Sequence, residues 1–140
     1  MMNKLIILVA CSFMTACATG YNPRYYFNEV QVVNLAGATI QDVSLQVVNS
    51  SRALDCAEVV KFAMCADRFG RKYYPQQGVE LGWTHPDGSR KSENPNPAIP
   101  AFFASAIPLR IVLEVREDGT VKAFYEQDEP GRDGVFDING

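Results

Sequence analysis

The sequence predicts a mainly β fold, a small antiparallel sandwich of the immunoglobulin-like type with one short helical turn pinned by a disulfide. Three observations predict it. Six or seven short runs alternate apolar and polar residues with the period of half-buried strands. Turn-forming residues separate those runs. Two cysteines, Cys56 and Cys65, bracket the one stretch that reads as helical.

In chain order, residues 17–27 read as a tether, because Gly20, Asn22 and Pro23 oppose regular structure, and Tyr25, Tyr26 and Phe27 dock it onto the domain. The domain itself is expected over residues 28–126. Residues 30–35 and 43–48 form two strands in a β-arch or hairpin; in the second, Val43, Leu45 and Val47 alternate with Ser44 and Gln46. Asp55 then reads as a helix N-cap, with Glu58 three positions on reaching back. A straight helix would hold the Cα atoms of Cys56 and Cys65 about 13 Å apart, whereas a disulfide spans at most about 7 Å. The helix is therefore expected to end near Lys61 and the chain to double back. Lys72, Tyr73 and Tyr74 add a short strand before Pro75.

Val79, Leu81 and Trp83 share one strand face, and the strand runs into His85-Pro86-Asp87-Gly88, which fits a type I turn closed by a left-handed glycine. The returning strand, 89–93, is polar and reads as a solvent-facing edge guarded by Arg90, Lys91 and two prolines, Pro95 and Pro97. The hairpin over 109–126 is the best specified. A three-residue loop, Glu117-Asp118-Gly119, pairs Val115 with Val121, Leu113 with Ala123 and Ile111 with Tyr125. The same register sets Glu114 against Lys122 and Arg110 against Glu126, opposite charges across the ladder. A one-residue slip would exchange the faces, so this agreement selects the register. Residues 127–140 are Gly- and Asp-rich and are expected to be a disordered acidic tail.

The first residues carry an address. Met1 to Lys4 form a short, positively charged start, residues 5–14 are almost unbroken apolar, and Thr15-Ala16-Cys17 is a small-residue exit. This is a secretory signal over residues 1–16, too short to be a spanning helix of about 20 residues. The segment Met14-Thr15-Ala16-Cys17 resembles the lipobox of bacterial lipoproteins, with Met14 in the position usually held by Leu. The resemblance implies acyl chains on Cys17 and a firm membrane anchor. It also implies the outer membrane, because Ala18 stands where an Asp would retain the protein at the inner membrane. Two rivals read the same residues differently. Cutting before Cys11 leaves too short an apolar region, and Ala16-Cys17-Ala18 would serve ordinary secretion into the periplasm.

Composition narrows the partners. The chain has 13 basic and 16 acidic side chains, a net charge of −3, and no basic stripe, so nucleic acid is not expected. Once Cys11 leaves with the signal and Cys17 is lipidated, Cys56 and Cys65 remain, and in an oxidising compartment they form a disulfide. Their spacing is not Cys-x-x-Cys and one His is present, which argues against a redox or metal site; no cofactor motif occurs.

Three further constellations have simpler readings. His85, Asp87 and Ser89 are the residue types of a hydrolytic triad, yet the Pro-Asp-Gly chemistry places all three at an exposed hairpin tip with no oxyanion hole. Asp128, Glu129, Asp133, Asp137 and Asn139 lack the residue order of a calcium loop. Trp83, Tyr73, Tyr74, Phe102 and Phe103 are candidates for an aromatic platform, although Trp83 shares its face with Val79 and Leu81 and belongs in the core. Adjacent Phe102 and Phe103 point opposite ways in a loop, so one of them is expected at the surface as a recognition element. The expected function is that of a non-enzymatic lipoprotein on the periplasmic face of the outer membrane, binding another envelope component, a protein. The alternative is a glycan-binding module or a small envelope hydrolase using His85.

Overall fold

The computed structural model describes residues 25–48, 53–73 and 78–127, with the side chains of 70–73 left out. Eight strands follow in order: β1 Tyr26–Leu35, β2 Ile40–Val47, β3 Ala53–Val59, β4 Met64–Tyr73, β5 Val79–Thr84, β6 Arg90–Glu93, β7 Leu109–Arg116 and β8 Val121–Gln127. They form two four-stranded sheets, ordered β4-β1-β7-β8 and β3-β2-β5-β6. No helix occurs among the described residues. The fold is mainly β.

Period-two alternation gives each sheet one apolar face, and the two faces share a single core. Phe27, Val30, Val32, Leu109, Ile111 and Leu113 from one sheet join Val43, Leu45, Val47, Val79, Leu81 and Trp83 from the other, all at most 2% exposed. Each such aliphatic side chain contributes roughly 1.5–3 kcal/mol when buried, so this shared layer is the main force holding the sheets together. Outside the first sheet, Glu29 is only 4% exposed, and its Oε2 lies 3.3 Å from both Arg68 Nε and Arg110 Nη1. Arg110 Nε lies in turn 3.4 Å from Glu126, so a row of alternating charge crosses all four strands.

Both predicted hairpin turns are present. β7 and β8 pair Val115 with Val121, Glu114 with Lys122 and Arg110 with Glu126, the register that the charge pattern selects. The β5–β6 turn has the same construction. Gly88 N donates to His85 O at 2.8 Å and His85 N to Ser89 O at 2.9 Å; Gly119 N donates to Arg116 O at 3.0 Å and Arg116 N to Thr120 O at 2.9 Å. Both glycines are left-handed, at φ 85° and 80°. In each turn the aspartate accepts from the amide and the hydroxyl two residues on, Ser89 for Asp87 and Thr120 for Asp118. The hydroxyl bond first, and the amide bond second, hold both carboxyls below their ordinary pKa of 3.8.

A folded-state pKa below the unfolded one means stability that is present at neutral pH and lost as pH falls through the lowered value. Thermal melting followed from about pH 5 to pH 2 should therefore show a smaller acid loss in the D87N/D118N double variant than in the parent. An equal loss in both would mean the turns are insensitive to this titration.

The structure corrects four expectations. Asp55, Cys56, Ala57 and Glu58 lie in strand β3, not in a helical turn, with Leu54 and Cys56 opposite Leu45 and Val43 of β2. An isolated helical turn is marginal, whereas pairing along β2 satisfies the whole backbone at once. The disulfide itself is present, with Cα atoms 6.5 Å apart, and it joins edge strands of opposite sheets. Closing a loop of this length contributes about 2.5 kcal/mol on the chain-entropy estimate. The pairing is not wholly antiparallel, since β1 and β7 run parallel. The connection after β1 is an arch that carries β2 into the other sheet, leaving a β1 edge for β7 to occupy. Strand β1 begins at Tyr26, so Tyr26 and Phe27, expected at the end of a tether, belong to the sheet. Lys72 and Tyr73 close the long β4 instead of forming a separate strand.

Candidate binding surface

Strand direction gives the domain two ends. At the proximal end the chain arrives at Tyr25 and β7 begins, with Phe27 opposite Leu109; at the distal end β1 and β7 finish together, with Leu35 opposite Arg116. The ten residues of β1 span about 33 Å between them.

The distal end is organised by Asn34, which is fully buried. Its Nδ2 donates to the carbonyls of Ala38 and Val59, both at 2.8 Å, and its Oδ1 accepts from Ala36 N at 2.8 Å. Its backbone holds the β3–β4 connection as well: Phe62 N donates to Asn34 O at 2.9 Å, and Asn34 N to Ala63 O at 3.0 Å. Val60, Lys61, Phe62 and Ala63 make a tight turn closed by Ala63 N donating to Val60 O at 3.0 Å. Phe62 is its third residue, with φ 65°, a position that normally falls to glycine. The ring is 72% exposed, flanked by half-exposed Val60 and Met64, and the Lys61 ammonium sits 4.8 Å from its centroid.

The sequence reading missed this tip, because a helix ending near Lys61 left Phe62 without a role. The signal available was a short cysteine-bounded stretch with Val60, Phe62 and Met64 apolar and no glycine to make its turn.

His85 is also at the distal end and is buried, 9% exposed, not at an exposed tip as expected. Trp83 Nε1 donates to His85 Nδ1 at 3.1 Å. Because Nδ1 accepts, the ring proton is on Nε2, which donates to Glu117 O at 3.0 Å. The imidazole thus bridges the turns of two hairpins in opposite sheets. The Asp87 and Ser89 side chains bond to each other at 2.6 Å, and the His85 ring bonds instead to Trp83 and Glu117, so the residues of the imagined triad do not assemble as one. Trp83 is fully buried, as its strand face predicts, and cannot belong to a surface platform.

The proximal end carries the predicted loop. Residues 94–108 contain no charged side chain. Two turns shape the loop, Phe103 N donating to Pro100 O at 3.0 Å and Ile107 N to Ala104 O at 3.2 Å. Gln127 clamps it, with Nε2 donating to Ala104 O at 2.7 Å and Oε1 accepting from Ala104 N at 3.2 Å. Tyr25 Oη donates to Phe103 O at 3.2 Å, joining the arriving chain to the loop. Phe103 packs half-buried against the core, and Phe102 stands 86% exposed, its ring edge-on to Phe103 at 5.1 Å. One ring in and one out is the arrangement that their adjacency predicts. The Tyr73 side chain, Tyr74, Cys17 and the acidic residues after Gln127 lie outside the described residues.

A shallow depression of about 420 Å³ lies outside the second sheet, lined by Ser44, Gln46, Asp55, Glu80 and Arg90. Arg90 is engaged there in the fold, Nη1 donating to Asp42 O at 2.6 Å. Among the described residues no group of three or more His, Cys, Asp or Glu is placed to hold a metal ion, and no helix is long and apolar enough to cross a membrane.

No known family matches the chain, and no curated protein does. Among solved structures, an NMR structure of a protein from Eubacterium rectale is similar, with a TM-score of 0.47 and 10% identity, over 78% of this chain and 96% of that one.

Proposed function

We propose that the protein is a lipoprotein anchored through Cys17 to the periplasmic face of the outer membrane, a non-enzymatic accessory module whose distal tip docks another envelope protein. The observation that carries this reading is Phe62. A bulky side chain in the left-handed region costs roughly 1–2 kcal/mol, and a ring 72% exposed returns almost nothing to the fold. Such strain concentrates at ligand contacts, where the surroundings fix it in advance. Here Asn34 and the Cys56–Cys65 bridge do the fixing. We read the two-sheet fold as an immunoglobulin-like sandwich, on the support of the shared core and the arch after β1. The reading is non-enzymatic because both ring nitrogens of His85 are engaged in structure.

Phe62→Gly separates fold from function. It should stabilise the domain by about 1 kcal/mol, raising Tm by roughly 4–8 °C, since glycine accepts that backbone freely. It should also weaken capture of the partner, by in-cell crosslinking of the membrane-anchored protein, about 30-fold if the ring is a central anchor. Unchanged capture would remove the tip as the interface. Anchoring has a separate check: Cys17→Ser should move the protein from the membrane to the soluble fraction after cell fractionation, and retention would defeat the lipoprotein reading.

A further inference from the structure

We infer that the uncharged loop 94–108 is a bilayer contact, with Phe102 inserted among the lipids of the same leaflet that holds the Cys17 anchor. The inference rests on the lipoprotein reading and adds to it a second, non-covalent attachment. Its basis is where the chain outside the described residues begins. Cys17 lies eight residues before Tyr25, a reach of at most about 28 Å even when fully extended, and Tyr25 is itself bonded to the loop through Phe103 O. A domain on so short a lead presents its proximal end to the membrane, and the loop is the longest of the connections that end carries, beside those after β2 and β4.

The loop is suited to lipid in three ways. No side chain from Asn94 to Pro108 bears a charge, so none has to be desolvated at the headgroup boundary. Phe102 projects 86% exposed, while Phe103 holds the loop to the core and Gln127 and Tyr25 satisfy its carbonyls from within the domain. An aromatic ring carried at the interface on a supported backbone is the usual form of a shallow membrane contact. The sequence charges around that end are mixed, Arg24, Arg71 and Lys72 standing against Glu93, Asp128 and Glu129, so no net basic cluster draws the loop to anionic lipid, and an apolar contact should not weaken with salt.

The test uses the full lipidated protein carrying Phe102→Trp, reconstituted into phosphatidylethanolamine–phosphatidylcholine vesicles with and without acyl chains brominated near the headgroup. The parent protein supplies the background of Trp83, which is fully buried. Replacing so exposed a ring leaves the fold intact. The expected result is that the added emission is blue-shifted and loses most of its intensity in brominated vesicles, equally at low and high salt, while the parent changes little. If the protein floats with the vesicles but position 102 emits as in water, the bilayer contact is overturned, the anchor stands, and the loop becomes available to a protein partner. If the protein does not float with the vesicles, anchor and contact fall together.

Discussion

Trp83→Ala should lower the free energy of unfolding by about 3–5 kcal/mol. The ring is fully buried in the shared core, and its indole N–H is the donor that fixes the His85 tautomer. Alanine therefore opens a cavity and leaves Nδ1 of a buried imidazole without its partner, two penalties at one position. Small domains have roughly 5–15 kcal/mol in total, so the loss is a large fraction of the domain's stability. Urea denaturation followed by far-UV circular dichroism measures this without relying on the lost indole. Trp83→Phe keeps most of the volume and isolates the polar part, for which about 1–3 kcal/mol is expected. If the phenylalanine variant matches the parent, the bond to His85 contributes nothing and the bridge between the hairpins is held by Glu117 alone.

Asn34→Ala is expected to cost about 2–4 kcal/mol by the same measurement, through a different mechanism. The side chain is small, so the cavity is minor. What is lost is the partner of Ala36 N and of Val59 O, backbone groups of buried residues that water does not readily reach. The effect should also be local. Hydrogen exchange at the Phe62 amide, bonded to the Asn34 carbonyl, should accelerate relative to amides of the β7–β8 hairpin. Uniform acceleration would show that Asn34 acts only on global stability and does not govern the tip.

The β7–β8 hairpin was legible to the residue because three independent signals agree there: an apolar face, opposite charges across the ladder, and a glycine at the position needing positive φ. The β5–β6 turn was legible for the same reason. What the sequence could not convey were pairings that depend on distant strands. Asp55 and Glu58 have the local chemistry of a helix start, and only the edge of β2 makes them a strand. Likewise, His85 reads as exposed from its own turn and is buried because a carbonyl 32 residues later closes over it. The parallel β1–β7 pair follows from the arch, whose crossing leaves no mark in composition. At the surface, Phe102 was foreseeable from two adjacent aromatic residues in an uncharged loop. Phe62 was not, since its exposure follows from a turn that its own residue type disfavours.

The placement of β1 bears on mechanics. If one end of the domain is held at a membrane and a partner grips the Phe62 turn, tension passes from Phe62 N to Asn34 O and then down β1 to Tyr26. This strand is hydrogen-bonded on both sides, to β4 and to β7. Inter-strand bonds lie across the strand direction, so a pull along β1 loads them together in shear instead of opening them one at a time. The domain would then behave under load as a stiff link, giving way all at once and not unravelling from its tethered end.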